Sequence, residues 1–254
     1  MTLHLDTQTD GNVSVAWLRA FDAVQSSAGH EAYGLVIEIK SGDGRLVESA
    51  QIRGALDNAL SKIAEGHAGR ASRPTLVQTV ASTIFPASMW NSAKPRDTFF
   101  KRYQKVSLVI QRDPRNKDGT YFSRFLERGQ LEHVLSTRLE RQNHRRSAYQ
   151  LVVFDPSRDH GHWRQKGFPC LHQVSFVPEP EAGTLGVVGY YPTQTMFEKA
   201  YGNYLGLWNL GCFVAHEWGL RMESLTCFAV VAKGSNGKHN AIAAELHQSM
   251  KSLR

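Results

Sequence analysis

The first chemical signal in the chain is a cysteine placed behind a proline and ahead of an apolar alternation: Cys170 in GFPCLHQVSF, residues 167–176. A thiol there is either a small buried hydrophobe or a nucleophile, and nucleophilic work requires the thiolate, which basic neighbours favour. The other two cysteines, Cys212 and Cys227, sit in apolar helix and strand contexts and read as core. Three cysteines without a CxxC pair make no disulfide framework, so a reducing compartment, the cytosol, is expected. The segment RDHGHW, residues 158–163, carries His160 and His162 with His172 nearby. Imidazoles so spaced can ligate a transition metal, but no cysteine or carboxylate set completes a site, and these residues read as a solvated loop with no metal expected. Glu198 is a candidate acid or base, or the partner of Lys199 or a neighbouring helix. His216 and Glu217 read as packing or capping residues.

These groups need elements to hold them. SVAWLRAFDAVQSS (14–27), AQIRGALDNALSKIAEG (50–66) and QLEHVLSTRLERQ (130–142) have helical apolar spacing. YGLVIEIK (33–40), AYQLVVFDP (148–156), LHQVSFV, LGVVGYY and SLTCFAVVAKG have the β-branched alternation of strands. Residues 194–219 read as a long helix, apolar on most faces and therefore buried, and roughly the last 18 residues as helical. Antiparallel-looking strand runs separated from long helices indicate an α+β fold in a single domain over 1–254.

Composition narrows the partners. Hydrophobic residues make up 41% and charged residues 21%, ordinary for a globular protein, and no apolar run suits a membrane helix. The polar start MTLHLDTQTDG shows no signal pattern, so no membrane or export step is expected. The 30 basic against 23 acidic residues give +7, which favours anionic ligands or serves only solubility. The basic residues gather in RLERQNHRR, KRYQK and RDPRNK without aromatic interleaving, so nucleic acid is not the expected partner.

Over residues 115–230 the motifs form a series: GTYFSRF, QLEHVLSTRLERQNHRRSAYQLVVFDP, GFPCLHQVSF, LGVVGYYPTQTMFEKAYGNYLGLWNLG. Their order and spacing resemble the thymidylate synthases and their relatives, the pyrimidine nucleotide hydroxymethylases. The resemblance implies a thymidylate-synthase-like fold: a mixed or antiparallel sheet packed with a long buried helix, dimerising through the sheet. It places Cys170 at the nucleophile, whose addition at C6 of a pyrimidine makes C5 enolate-like and able to attack a one-carbon electrophile. Tyr121 matches a tyrosine near the nucleophile, which donates to the base, orders a water, or is a core aromatic. Arg145 and Arg146 match paired arginines that fork onto the nucleotide phosphate of the neighbouring subunit, the alternative being a solvated helix end. Asn203 matches the asparagine that reads O4 and N3 of a uracil-type base, against an asparagine satisfied within its helix. Gly202 and Gly206 admit either a close ligand or a close helix.

The chain also departs from the family pattern. The Arg-Ser phosphate motif stands as Pro192-Thr193, with Thr193 keeping a hydroxyl, and the following aspartate as Thr195. The catalytic-glutamate helix and the ribose-gripping His-x-Tyr have no recognisable counterpart. Phosphate binding then leans on Arg145, Arg146 and a further base among Lys199, Arg102 and Lys105. The expectation is a divergent cytoplasmic transferase of nucleotide metabolism. It would be a methyltransferase or hydroxymethyltransferase acting at C5 of a pyrimidine nucleotide, with 5,10-methylenetetrahydrofolate as carbon donor and a homodimer with shared sites. The alternative is a nucleotide-binding or regulatory protein on the same fold.

Overall fold

The computed structural model describes residues 4–5, 11–64, 76–112, 116, 119–140, 145–160 and 169–253. Helix α1 (Val13–Gln25) begins where the Asn12 side chain accepts from Val15 N–H at 3.1 Å. Its residues Val13, Ala16, Trp17, Ala20, Phe21 and Val24 recur at helical spacing and are fully buried. Strand β1 (His4–Leu5) pairs in parallel with β2 (Glu31–Lys40). Helices α2 (Ala50–Ala64), α3 (Leu76–Ile84), α4 (Arg96–Ile110), α5 (Tyr121–Leu126) and α6 (Gln130–Glu140) follow. Then come β3 (Gln150–Val152), the short α7 (Pro156–Asp159), β4 (Gln173–Glu179) and β5 (Thr184–Thr195). A π-helical turn, Met196–Ala200, leads into α8 (Tyr201–Glu217), and β6 (Arg221–Lys233) and α9 (Asn240–Ser249) complete the elements.

The sheet order is β1-β2-β6-β5-β4-β3. β2/β6, β5/β4 and β4/β3 are antiparallel and β5/β6 parallel, so the sheet is mixed. A parallel neighbour requires a crossover, and α8 supplies it between β5 and β6. Apolar around its circumference, α8 is buried between the sheet and α3, which explains why it has no polar stripe. The α3–α8 approach is set by two glycines one helical turn apart. A Cβ on Gly202 would lie 2.7 Å from the Val77 carbonyl oxygen, and one on Gly206 2.8 Å from that of Ala81. Helix packing therefore accounts for both.

The two sheet faces differ. Leu35, Val187, Leu225 and Ala229 are buried against helices, whereas Val36, Val177, Val188 and Phe228 on the opposite face are only partly buried and Tyr190 and Val152 are exposed. The alternation breaks at one level of the sheet. Buried positions step by three, from Ala32 to Leu35, Tyr191 to Gln194 and Ala229 to Ala232, on three neighbouring strands in register. Gly34, at φ +65°, takes up the irregularity in β2. The step returns Gln194 to the helix-covered face.

Three sequence expectations change. β5 runs through Pro192 to Thr195, so the helix expected from 194 begins only after it. The strand expected over 148–156 keeps three residues, because Asp155 caps α7 by accepting from Ser157 N–H. α3 and α4 had no counterpart in the sequence reading.

Candidate functional site

The end of the sheet where β5 gives way to α8 gathers most of the chemistry. Cys170 lies in the turn before β4, between buried Pro169 and Leu171, and the residue itself is exposed. Its backbone N–H donates to Tyr121 Oη at 3.3 Å, and Leu171 N–H also donates to that oxygen. Tyr121 opens α5, whose start is fixed by Thr120: its Oγ1 accepts from Ser123 N–H at 3.2 Å and lies 2.6 Å from Tyr103 Oη. Downstream, His172 N–H donates to the Tyr190 carbonyl at 3.0 Å and its carbonyl accepts from Val153 N–H at 2.8 Å. The His172 ring stacks on Phe154 with centroids 4.8 Å apart. The cysteine is thus held on both sides by backbone bonds to fixed elements.

Thr193 is half-buried on β5. The β4–β5 pairing ends at Gln173↔Tyr190, so Pro192 and Thr193 lie beyond it at the same end as the Cys170 turn. Asn203, in the first turn of α8, is 4% exposed, and its side chain makes no hydrogen bond among the described residues. Trp17 Nε1 donates to the Met196 carbonyl at 2.8 Å and Phe197 N–H to the Gly234 carbonyl at 3.0 Å, fixing the turn that launches α8.

Three further polar side chains at this level escaped the sequence reading. Among the described residues, Tyr191 Oη, Tyr204 Oη and both amide atoms of Gln194 are buried without a partner. Burial raises the Tyr191 and Tyr204 phenols well above their ordinary range, so they stay protonated. Tyr121 is likewise pushed up to about 12, by desolvation and then by the Cys170 thiolate. The available sequence signal was slight: polar residues at the buried phase of a strand, and a tyrosine inside an otherwise apolar helix.

Electrostatics at the thiol differ from expectation. Although Cys170 is exposed as a residue, protein atoms packed about its sulfur disfavour the thiolate and hold the pKa above its ordinary value. The Lys199 ammonium opposes this without reversing it. Burial also keeps the His172 imidazole below its usual range, in the neutral form. Cys227 is buried and Cys212 packs against the core, its thiol pushed up to about 11.

Arg145 and Arg146 stand elsewhere. Arg146 lies 3.6 Å from Glu179 at the far end of β4, and both side chains are well exposed. Seven strand residues, about 20 Å, separate that end from the Cys170 turn. Arg102 and Lys105 are exposed on α4. Glu198 pairs with His239 Nδ1 at 2.8 Å and accepts from Asn236 N–H at 2.9 Å, anchoring the loop before α9 rather than meeting Lys199. His216 is exposed and stands edge-on to Trp90, and Glu217 forms an ion pair with Arg96 at 3.0 Å, so neither is the buried packing residue expected. His160 and His172 both flank Phe154, while His162 lies outside the described residues; among the described residues no three metal-binding side chains converge.

Cys170 lines neither of two open depressions. One of about 570 Å³ is lined by residues 92–97 with His216 and Glu217. In it Arg96 is taken up by Glu132 at 2.6 Å and by Glu217, which lowers the Glu132 pKa. The other, about 310 Å³, surrounds Arg124 and Phe154. Its Arg124–Asp159 pair, at 2.7 Å and nearly inaccessible, also ties the Val153 carbonyl and carries structure. The chain matches no protein-family model and no curated protein.

Proposed function

We propose that the chain is a divergent thymidylate-synthase-like transferase whose Cys170 thiolate adds to C6 of a pyrimidine nucleotide so that C5 accepts a one-carbon unit. The carrying observation is an exposed thiol in a rigid turn at the same sheet end as a buried asparagine whose amide makes no hydrogen bond among the described residues. An amide presents a donor and an acceptor together, which suits the O4/N3 edge of uracil. Lys199 and Thr193 supply a cation and a hydroxyl at that end. Because the thiol's pKa is raised, the thiolate must form in the bound complex, with Lys199 favouring it and the neutral phenols donating hydrogen bonds.

Within one protomer Arg145 and Arg146 do not reach Cys170. Their role as phosphate ligands therefore requires a second copy, and we assign it to the partly buried sheet face with Val188, Tyr190 and Phe228. A homodimer is expected to sediment as two chains at micromolar concentration. Methylenetetrahydrofolate is the carbon donor the resemblance implies, and no described residue is assigned to hold it. No helix among the described residues is long and apolar enough to cross a membrane, and a cytoplasmic enzyme is part of the proposal.

The test is tritium release from C5-labelled dUMP, UMP, dCMP and CMP, with and without methylenetetrahydrofolate, for wild type and Cys170→Ala. Cys170-dependent release from a uracil nucleotide is expected; release independent of Cys170, or none, contradicts the reading. The second reading, a nucleotide-binding protein without group transfer, draws on the raised thiol pKa. It predicts nucleotide-induced thermal stabilisation with no release.

A further inference from the structure

Helix α4 is held on one side and bare on the other. Phe99 and Tyr103, one turn apart, are buried, and Tyr103 Oη lies 2.6 Å from Thr120 Oγ1. Phe99 meets the rings of Phe85, Phe122 and Phe213, so this inner stripe ties the helix to the aromatic core. Beyond Tyr103 no residue of α4 is buried, and only Ser107 and Ile110 are partly covered.

The outward side mixes aliphatic and cationic residues. Leu108 is 68% exposed, Val109 58% and Val106 38%. The stretch KRYQKVSLVIQR, residues 101–112, holds four basic residues and no acidic one. Among the described residues Arg102, Lys105 and Arg112 enter no ion pair, and Lys101 has only Asp97, at 3.9 Å with both side chains largely in water. At 3.6 residues per turn, positions 101, 105 and 108 stand in one row and 102, 106 and 109 in the next. Cations and aliphatic side chains therefore alternate over one face, and Arg112 extends it just past the C-cap Gln111.

Charge complementarity calls for an anionic partner, and the exposed aliphatic residues select among anionic partners. Nucleic acid bases stack on aromatic side chains, and a protein groove is usually met by aromatic anchors; neither is present on this face. A bilayer surface needs no such anchor. We propose that the outward face of α4, with Arg112, docks on an anionic phospholipid surface. Val106, Leu108 and Val109 sit at the boundary between headgroups and acyl chains, and the four cations lie among the lipid phosphates and carboxylates. The long stems of Lys101, Arg102 and Lys105 run along apolar surface while their charges stay at headgroup level. No helix among the described residues is long and apolar enough to cross a membrane, so this is attachment to one leaflet, and the expected lack of a membrane partner holds for spanning alone. The attachment is independent of the chemistry at Cys170.

The test is co-sedimentation of the full chain with vesicles of phosphatidylcholine alone or with about one third phosphatidylserine, at physiological salt. Wild type should partition onto the phosphatidylserine vesicles at least about tenfold more strongly than onto phosphatidylcholine. Arg102→Glu with Lys105→Glu should weaken that partition at least about tenfold. Lys238→Glu with Lys251→Glu, the same change of charge on exposed residues outside α4, should weaken it less than about threefold. Leu108→Ser with Val109→Ser should weaken it at least about fivefold at an unchanged thermal midpoint, because both side chains already stand in water. Equal losses in the two charge variants overturn the proposal, since the net charge alone would then act. An aliphatic variant that binds as wild type does also overturns it, because nothing would be inserted. So does a wild type that ignores phosphatidylserine, and retention by an acidic peptide or an RNA oligonucleotide would then name the class of partner instead.

Discussion

Two glutamines show how differently the molecule treats its polar groups. Gln130, at the start of α6, spends its whole amide: Nε2 donates to the Arg124 and Val152 carbonyls, and Oε1 accepts from Val152 N–H. Gln194, on β5 and 1% exposed, has no partner on either amide atom. The contrast extends to their surroundings. Around Gln130, Arg124 forks onto both Asp159 oxygens and Asp155 caps α7. Tyr191, three residues earlier on the same strand, and Tyr204 on α8 likewise have hydroxyls without a partner among the described residues. The first region uses polar side chains to fix an edge strand, and the second keeps them in reserve near an exposed thiol. A fold tolerates such unsatisfied groups where a ligand completes them.

If that division is right, damage to the first region should register as lost stability. Asp159→Ala leaves the Arg124 guanidinium buried and unpaired, and should cost about 3–5 kcal/mol, read as a lower denaturation midpoint at unchanged slope. A loss below about 1 kcal/mol would erase the distinction. At the other end, Asn203→Asp should move nucleotide preference from uracil towards cytosine by at least about tenfold in tritium release, since a carboxylate accepts from the cytosine amine. An unchanged preference would leave Asn203 a packing residue. Gln194→Leu should raise the stability of the free protein by about 1–2 kcal/mol, because it removes two unsatisfied atoms at similar volume. A destabilisation would mean that the amide has partners after all.

The smallest effect concerns protonation. With its pKa above the ordinary thiol value, Cys170 should alkylate more slowly at pH 8 than an unperturbed cysteine and accelerate as pH rises past that value. Lys199→Ala removes the charge that favours the thiolate, so its iodoacetamide rate profile should move to still higher pH. A profile moving lower would contradict the electrostatic account of the site.

How far the sequence carried depended on how local each signal was. The stripe of α1, the alternation of β6 and the apolar length of α8 are periodic and legible. The junction between β5 and α8 is not: Pro192 falls inside the strand, and the three-residue step from Tyr191 to Gln194 breaks the period there. α3 has helical spacing at Val77, Val80, Ala81 and Ile84, yet the pairing that defines it is with Gly202 and Gly206, far along the chain. At the site, motif order singled out Cys170, Tyr121, Thr193 and Asn203. It could not reveal Tyr191 or Gln194, because a missing partner is a property of the packed molecule. Nor could it show that Arg145 and Arg146 stand at the opposite sheet end, which only the β3–β4 register discloses.

The most direct measurement is the rate of Cys170 carboxamidomethylation, followed by peptide mass spectrometry, as dUMP is titrated against the protein. A pyrimidine nucleotide seated over the thiol should slow alkylation at least about tenfold at saturation, and CMP or inorganic phosphate should protect less. A rate indifferent to millimolar nucleotide would mean that the open polar groups beside Cys170 serve something other than a pyrimidine.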